Sequence, residues 1–158
     1  MSSTEKTYSL EQVRDRFGGI ALWLKFLSRG KEVSDGKNGP LHQAIRESGH
    51  YDAETAFAGV HDLAGFVDVF ESEPARDVFD MEEVKRDDST FEVKFHTCPL
   101  VKAWREAGAT DEEVSALCDI AMEGDRGVVE KLGFLELDLQ KTIADGDECC
   151  LMRITSKE

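Results

Sequence analysis

The stretch that decides the fold is residues 91–99, which read FEVKFHTCP. Its first five residues alternate apolar and charged side chains, as a strand with one buried face requires. Pro99 then suits the first position of a helix, because proline lacks the amide hydrogen that would stay unpaired there. We therefore predict a strand that passes directly into a helix at Cys98-Pro99, with this helix running to Gly108.

The neighbouring segments extend this pattern in both directions. Residues 77–87 carry apolar side chains among charges, and Asp87-Asp88-Ser89 has the composition of a turn between two antiparallel strands. After the central helix, a capping box at 110–113 predicts a second short helix through Ala121.

The N-terminal half is predicted to be helical. A capping box at Ser9 opens a helix that reaches a glycine cap at Gly30. Its apolar residues recur at steps of three and four and predict one buried face, formed by Leu10, Val13, Phe17, Ile20, Leu24 and Leu27. Residues 31–39 read as a loop, after which further helices are expected at 40–49 and from Asp52 to Phe70.

The C-terminus is predicted to be a β-hairpin. Apolar and polar residues alternate at 135–139 and again at 150–154, and Asp145-Gly146 supplies a turn between them. Together these elements predict one α+β domain over residues 1–158. In this domain, N-terminal helices are expected to pack on a small antiparallel sheet, and two short helices are expected before the C-terminal hairpin.

The composition excludes several classes of function. The 158 residues include 19 Lys and Arg against 33 Asp and Glu, a formal net charge of −14, so neither nucleic acid nor a membrane surface is expected as a partner. No apolar run reaches the roughly 18 residues of a membrane span, and the N-terminus lacks the features of a signal peptide. A cytoplasmic location is therefore expected, and the four cysteines read as thiols.

Cys98 is the first candidate for chemistry. At the N-cap of a helix its thiol meets unpaired amides and the positive end of the dipole, which predicts a lowered pKa. His96 lies two residues earlier on the expected strand, so its ring is predicted on the same side, as a base or a second ligand. The alternative is a small buried cysteine beside a surface histidine.

Other candidates carry weaker signals. Cys118 lies on an apolar helical stripe, where core packing is the ordinary interpretation, and Asp125 follows a helix end, an unfavourable place for a carboxylate. In the pair Cys149-Cys150 only one side chain can face a given site. A metal site formed by His96 and cysteines lacks the close spacing of zinc motifs, so the sequence leaves the cofactor open, zinc or another divalent metal included.

Ordered landmarks in the C-terminal half resemble the L-2-amino-thiazoline-4-carboxylic acid hydrolase family, over roughly residues 90–155. The landmarks are Phe95-His96-Thr97-Cys98-Pro99, Trp104, Leu117-Cys118-Asp119-Ile120, Asp125, Lys141-Thr142-Ile143 and Gly146-Asp147-Glu148-Cys149-Cys150. The spacing after Gly146-Asp147 makes Cys150 the matching cysteine of the pair.

The resemblance implies a small-molecule hydrolase that opens a cyclic amidine-type C–N bond, as when an aminothiazoline ring becomes an N-carbamoyl-cysteine. It implies catalytic roles for Cys98, His96 and Asp125, and substrate binding by Cys118, Cys150 and Asp147. Cys98 would attack the amidine carbon as a thiolate, or with its partners hold a metal that activates water. The three cysteines are then expected to converge on one pocket.

Two other functions compete with this one. The chain also resembles the vinyl-reductase-like ligand-binding domains, and a non-catalytic module of that kind would have a pocket lined by aromatic and aliphatic groups without a thiolate and a carboxylate together. A structural adaptor would use Trp23 and Phe26, although these two residues are expected to widen the core face. Apolar surface around Leu22, Trp23 and Phe26 also predicts a homodimer through the N-terminal helices.

Overall fold

A computed structural model describes residues 7–28 and 39–157. Within these residues the helices are α1 Leu10–Ser28, α2 Pro40–Glu54, α3 Leu63–Phe70, α4 Ala75–Val78, α5 Pro99–Glu106, α6 Asp111–Ala121 and α7 Glu123–Leu132. The strands are β1 Met81–Arg86, β2 Thr90–Phe95, β3 Leu135–Lys141 and β4 Cys150–Ser156, and a short 3₁₀ helix occupies Ile143–Asp145. The predicted Gly30 cap and all of the predicted loop but Gly39 lie outside the described residues.

The four strands form one antiparallel sheet in the order β1-β2-β4-β3. The fold is therefore α+β, with helices in the N-terminal half and a C-terminal hairpin, as predicted. The β2 side chains that alternate towards the helices, Phe91, Val93 and Phe95, are buried against α3 and α7. A second apolar cluster lies around Trp104, whose indole nitrogen donates to the Ala21 carbonyl oxygen at 2.8 Å and so ties α5 to α1.

The capping box at Ser9 and the turn at Asp87, both predicted from local sequence, are present in the structure. The Ser9 amide donates to Gln12 Oε1 at 2.9 Å and the Gln12 amide donates to Ser9 Oγ at 3.1 Å, which completes the capping box of α1. Asp87 Oδ1 accepts from the amides of Ser89 and Thr90, which closes the turn between β1 and β2. Hydrogen bonds between residues so close in sequence can be predicted without knowledge of the tertiary structure.

Two helix boundaries in the N-terminal half differ from the prediction. Helix α2 continues past Gly49, and the helix expected to begin at Asp52 begins at Leu63. Between them the chain turns at Gly59, whose φ of +80° is incompatible with a continuing helix. Asp62 caps the new helix start, its carboxylate accepting from a backbone amide. The helical spacing of apolar residues continues across this break, and for that reason the sequence pattern predicted a single helix there.

Helix α7 was not predicted. The sequence Glu123-Gly124-Asp125 reads as a helix end because glycine is a poor helix former. In the structure α7 packs so closely on α2 that a Cβ on Gly49 or Gly127 would overlap the backbone of the opposite helix. Asp125 consequently lies in the first turn of a helix, where the dipole favours a carboxylate. The expected penalty from a helix C-terminus is therefore wrong.

A buried carboxylate at the start of α7 fixes this helix against α2. Glu123 is 2% exposed, and its Oε2 lies 2.6 Å from a terminal nitrogen of Arg46 on α2. Its Oε1 accepts from Arg126 at 2.9 Å. Two arginines thus neutralise the buried charge, which sets the position of the residues that follow on α7.

The buried face of α1 is rotated from the predicted one. Ile20 and Leu27, expected in the core, are 63% and 66% exposed, and Trp23 and Phe26 are exposed as well rather than widening the core face. Gly18 and Ala21 are buried instead, with Gly18 against Ala103 of α5, because a small residue permits close approach of the two helices. No helix in the described parts of the chain is long and apolar enough to cross a membrane.

The homodimer expected from this apolar outer face stays a prediction. Its measurement is sedimentation at micromolar concentration of the wild type and of a variant with Trp23→Ser and Phe26→Ser. We expect a dimer for the wild type and a monomer for the variant, because exposed aromatic side chains are the ones a partner would cover. A wild type that sediments as a monomer would contradict the expectation.

Candidate functional site

A cavity of about 520 Å³ lies where the sheet meets the helices, a volume typical of small-molecule sites. Its wall is mainly aromatic and aliphatic: Phe17, Phe57, Val69, Phe70, Phe79, Met81, Phe95, Leu100, Trp104, Ala121, Met122, Leu139 and Met152. Polar groups are few among the described lining residues: three thiols, two carboxyls and the hydroxyls of Ser72 and Thr142. These few groups determine what the cavity can do.

Three of the four cysteines line this cavity although they come from separate elements. Cys98 is the N-cap of α5, Cys118 lies on α6 and Cys150 begins β4. Thr142 connects two of them, its Oγ1 lying 3.5 Å from Cys118 Sγ and 3.9 Å from Cys150 Sγ. Cys149, which precedes the first residue of β4, is not among the lining residues.

The thiols of all three cysteines are held in the neutral form at rest. Burial raises the pKa of Cys98, an effect that the amides of Val101 and Leu100 at the start of α5 only partly offset. The predicted lowering of the Cys98 pKa is therefore wrong, because loss of water outweighs the helix dipole at this position. Burial likewise raises the pKa of Cys150, and that of Cys118 to about 11.

Among the described residues that line the cavity, the carboxyl groups belong to Asp125 of α7 and Asp52 of α2. Burial raises the pKa of Asp125 from its ordinary value of 3.8 to about 6; Arg126 beside it lowers the pKa, and the Asp52 charge raises it further. Within the described residues no hydrogen bond or ion pair reaches the Asp125 carboxylate. A carboxyl group with this pKa can exchange a proton near neutral pH, as a general acid or base must.

Replacement of Asp125 by asparagine is expected to stabilise the protein above the pKa of the carboxyl group. The raised pKa means that the native state binds more protons than the unfolded state between about pH 4 and pH 6, so wild-type stability falls as pH rises through this window. At about pH 8 we expect Asp125→Asn to have a free energy of unfolding about 2 kcal/mol higher. Urea unfolding at pH values near 4 and near 8 measures the difference. A difference that is the same at both would contradict the assignment.

His96 lies away from the cavity, in contrast to the prediction. Its side chain is 39% exposed, and its Nε2 lies 2.6 Å from Glu82 Oε2 on β1. The strand β2 ends at Phe95, so the rule that residues two apart share a face does not extend from His96 to Cys98. The structure therefore does not bring His96 together with the three thiols.

Asp147 is exposed and does not line the cavity, but it forms hydrogen bonds with Thr142, which does. Its Oδ2 accepts from the Thr142 amide at 3.0 Å, and the Thr142 carbonyl accepts from the Asp147 amide at 3.2 Å. This reciprocal pair holds Thr142 in place beside Cys118 and Cys150. Sequence reasoning assigned no role to Thr142, although it has the signal of a cap residue, its hydroxyl accepting from the Ala144 amide.

An outer cleft of about 820 Å³ adjoins the cavity and shares Cys118, Leu139 and Thr142 with it. Its charged lining residues are Arg105, Asp111, Glu112, Asp119, Arg126 and Asp145. In the part of the cleft that the described residues form, carboxylates thus outnumber guanidinium groups. The shared residues form the boundary between this polar cleft and the apolar interior.

The described residues contain no group of three or more His, Cys, Asp or Glu side chains arranged to bind a metal ion. The described residues therefore do not supply a ligand set for zinc or another divalent metal, which the sequence had left as an open alternative. Elemental analysis of protein purified without chelator is the direct measurement of metal content, because a thiolate-bound metal is retained through such a preparation.

Comparison with known proteins gives a family and a fold. The family model for L-2-amino-thiazoline-4-carboxylic acid hydrolase matches residues 35–154, well over half of the chain. No curated protein matches significantly. Among solved structures, the chain is similar to a trafficking protein particle complex subunit 3 from Naegleria fowleri covalently bound to palmitic acid, with a TM-score of 0.59 and 12% identity over 94% of this chain and 97% of that one. At this identity the likeness shows the fold alone.

Proposed function

This chain belongs to the L-2-amino-thiazoline-4-carboxylic acid hydrolase family, and on that basis we propose that it is a small-molecule hydrolase that opens a cyclic amidine ring. One observation supports this proposal above all: thiols and a carboxyl group that titrates near neutral pH line the same apolar cavity. Ring opening of an amidine needs a nucleophile, a proton carrier and a group that holds the amidinium charge. The thiols suit the first role, and Asp125 suits the other two.

Cys98 is the nucleophile in this proposal. It lies at the N-cap of α5, where the amides of Leu100 and Val101 favour the thiolate, whereas Cys118 has a pKa of about 11. Because the Cys98 thiol is neutral in the free protein, the bound substrate has to promote its deprotonation. An amidinium cation in a cavity of low dielectric lowers the pKa of a neighbouring thiol and raises the electrophilicity of its own carbon.

The reaction divides into two displacements at the amidine carbon. In the first, Cys98 transfers its proton to the Asp125 carboxylate and its sulfur bonds to the carbon; the ring bond to the leaving atom then breaks, and that atom takes the proton from Asp125. In the second, water bonds to the carbon while Asp125 accepts its proton, and the bond to Cys98 breaks as the thiol is reprotonated. A urea-type product remains, and the proton that the amidinium carried goes to solvent.

The leaving atom depends on the ring. In an imidazoline it is a nitrogen, which is the C–N bond expected from the sequence, whereas an aminothiazoline that becomes an N-carbamoyl thiol loses its ring sulfur. Both reactions add one water and need the same three groups. His96 has no part in either step, since its side chain lies outside the cavity.

The proposal is tested by incubating the full chain with an aminothiazoline carboxylate, the same ring without the carboxylate, and an imidazoline. Mass spectrometry should detect a product one water heavier than the substrate, at a rate proportional to protein concentration. Heat-denatured protein is the control for spontaneous opening. The absence of a ring-opened product from every amidine would contradict the proposal.

A ligand-binding module is the second candidate, and the aromatic and aliphatic wall of the cavity favours it. The similar trafficking subunit is covalently bound to palmitic acid, so this fold accommodates an apolar chain in at least that protein. For a module of this kind, native mass spectrometry of freshly purified protein should show a bound apolar molecule, and the amidines should stay intact. Turnover of an amidine without such a ligand would favour the hydrolase instead.

A further inference from the structure

We infer that Arg105 binds the carboxylate of the substrate: the amidine end of the ring lies in the cavity, and the acid group extends past Thr142 into the outer cleft, where the Arg105 guanidinium pairs with it. This inference rests on the proposed function and adds to it the residue that selects an acidic amidine. Arg105 lies in the last turn of α5, the helix whose N-cap is Cys98. The nucleophile and the cation thus belong to the same rigid element.

The cavity wall itself offers no partner for an acid group. Among the described residues that line the cavity, the charged ones are Asp52 and Asp125, and there is no Lys, Arg or His. A carboxylate without a partner of opposite sign is costly to bury. Because the cavity shares Cys118 and Thr142 with the outer cleft, an acid group on a ring bound in the cavity is expected to face outward at this boundary.

The Arg105 guanidinium lies close to the thiols of the cavity. One of its terminal nitrogens donates to the Ile143 carbonyl oxygen at 3.3 Å, and the Ile143 amide lies 3.3 Å from Cys150 Sγ. These two contacts of one residue place the guanidinium within about 10 Å of a cavity sulfur. An aminothiazoline carboxylate measures roughly 4 Å from its amidine carbon to its acid carbon, and a contact of about 3 Å at each end completes the span. The substrate is therefore long enough to contact a thiol and Arg105 together.

Arg105 is also the arginine of the cleft that has donors to spare. Of the two arginines among the described lining residues, Arg126 has one terminal nitrogen 3.0 Å from Asp119 Oδ1 and 2.9 Å from Glu123 Oε1. Within the described residues Arg105 forms no ion pair, and its hydrogen bond to the Ile143 carbonyl uses one of five N–H groups. A guanidinium in this state matches a carboxylate in geometry as well as in charge.

The acidic surroundings of Arg105 make anion binding in the cleft dependent on it. The carboxylates among the described lining residues are Asp111, Glu112, Asp119 and Asp145. Arg126 neutralises Asp119, and the Ser115 hydroxyl donates to Asp145, but the cleft keeps an excess of negative charge. An acid group gains a close ion pair where Arg105 is present and meets net repulsion where it is absent. Removal of this one cation should therefore affect acidic substrates selectively.

The test measures kcat and KM for the aminothiazoline carboxylate and for the same ring without its carboxylate, with the wild type, Arg105→Gln and Lys102→Gln. Lys102 is the matched control, because it is an exposed cation of the same helix that pairs with Glu11 and lines the groove against α1. We expect Arg105→Gln to raise KM for the carboxylate about tenfold or more with little change in kcat. The ring without the carboxylate should be unaffected by either substitution, and Lys102→Gln should leave both substrates unchanged.

Calorimetric titration of the same two compounds separates this inference from the hydrolase proposal, and thermal melts check that both variants fold. If neither compound is opened, but the carboxylate binds the wild type more tightly and Arg105→Gln removes the difference, the hydrolase proposal fails while the inference stands. If both compounds are opened and Arg105→Gln affects them equally or not at all, the hydrolase stands and the inference fails. A wild type without preference for the carboxylate in binding or in KM would also overturn the inference.

Discussion

Replacement of Cys98 by serine is expected to lower the rate of ring opening by roughly three orders of magnitude or more while the fold is retained. Serine is a good N-cap residue, so the start of α5 should remain intact. Its hydroxyl is a far weaker nucleophile than a thiol, and a bound amidinium cannot bring its pKa near neutrality. The loss should therefore appear in turnover and not in stability.

The measurement pairs the amidine assay with a thermal melt for the wild type, Cys98→Ser and Cys149→Ser. Cys149 is the matched control, because it is a cysteine of the same chain that does not line the cavity. We expect Cys149→Ser to retain wild-type turnover and both variants to melt within a few degrees of the wild type. A Cys98→Ser protein that opens amidines at the wild-type rate would remove the nucleophilic role from Cys98.

The elements that could be predicted from sequence are those decided by neighbouring residues. The capping box at Ser9, the turn at Asp87 and the alternation of β2 each depend on contacts within a few positions. The helix α7 could not be predicted in this way. Gly124 and Gly127 disfavour a helix locally. The close approach of α2, where a Cβ on Gly127 would overlap the Arg46 carbonyl oxygen, is a tertiary contact that periodicity does not encode.

The same difference between local and long-range information explains which residues of the candidate site could be predicted. The expectation that Cys98, Cys118 and Cys150 converge on one pocket came from the resemblance, which carries information about a whole fold, and the three residues do line one cavity. His96 was placed by a rule for regular strands, and that rule fails where β2 ends at Phe95.

The electrostatics of the site were the least predictable part. The pKa of the Cys98 thiol depends on how much water the surrounding elements exclude, and that exclusion outweighs the helix N-terminus that the sequence reveals. Asp125 shows the same dependence, since its raised pKa arises chiefly from burial and from Asp52 on another helix, against the opposing effect of Arg126. Neither environment can be deduced from residues adjacent in sequence.

Gly49→Ala is expected to be the most destabilising single methyl addition in the described part of the protein. An alanine Cβ at this position would overlap the Gly124 carbonyl oxygen and lie 3.0 Å from the Gly127 Cα, and both partners are backbone atoms that cannot rotate away. Helices α2 and α7 would have to separate, which would also disturb the buried pair of Glu123 with Arg46. We expect the free energy of unfolding to fall by about 3 kcal/mol and the melting temperature by roughly 6 to 12 °C.

The matched control for this prediction is Gly19→Ala. Gly19 is also a helical glycine, but a Cβ there meets no atom within 4 Å, so the substitution should act through helix propensity alone. We expect it to raise the free energy of unfolding by about 0.5 to 1 kcal/mol, the opposite sign to Gly49→Ala. Urea unfolding of both variants beside the wild type gives the two values. If Gly49→Ala proved as stable as Gly19→Ala, the close contact between α2 and α7, and with it the position of Asp125 on the cavity wall, would be wrong.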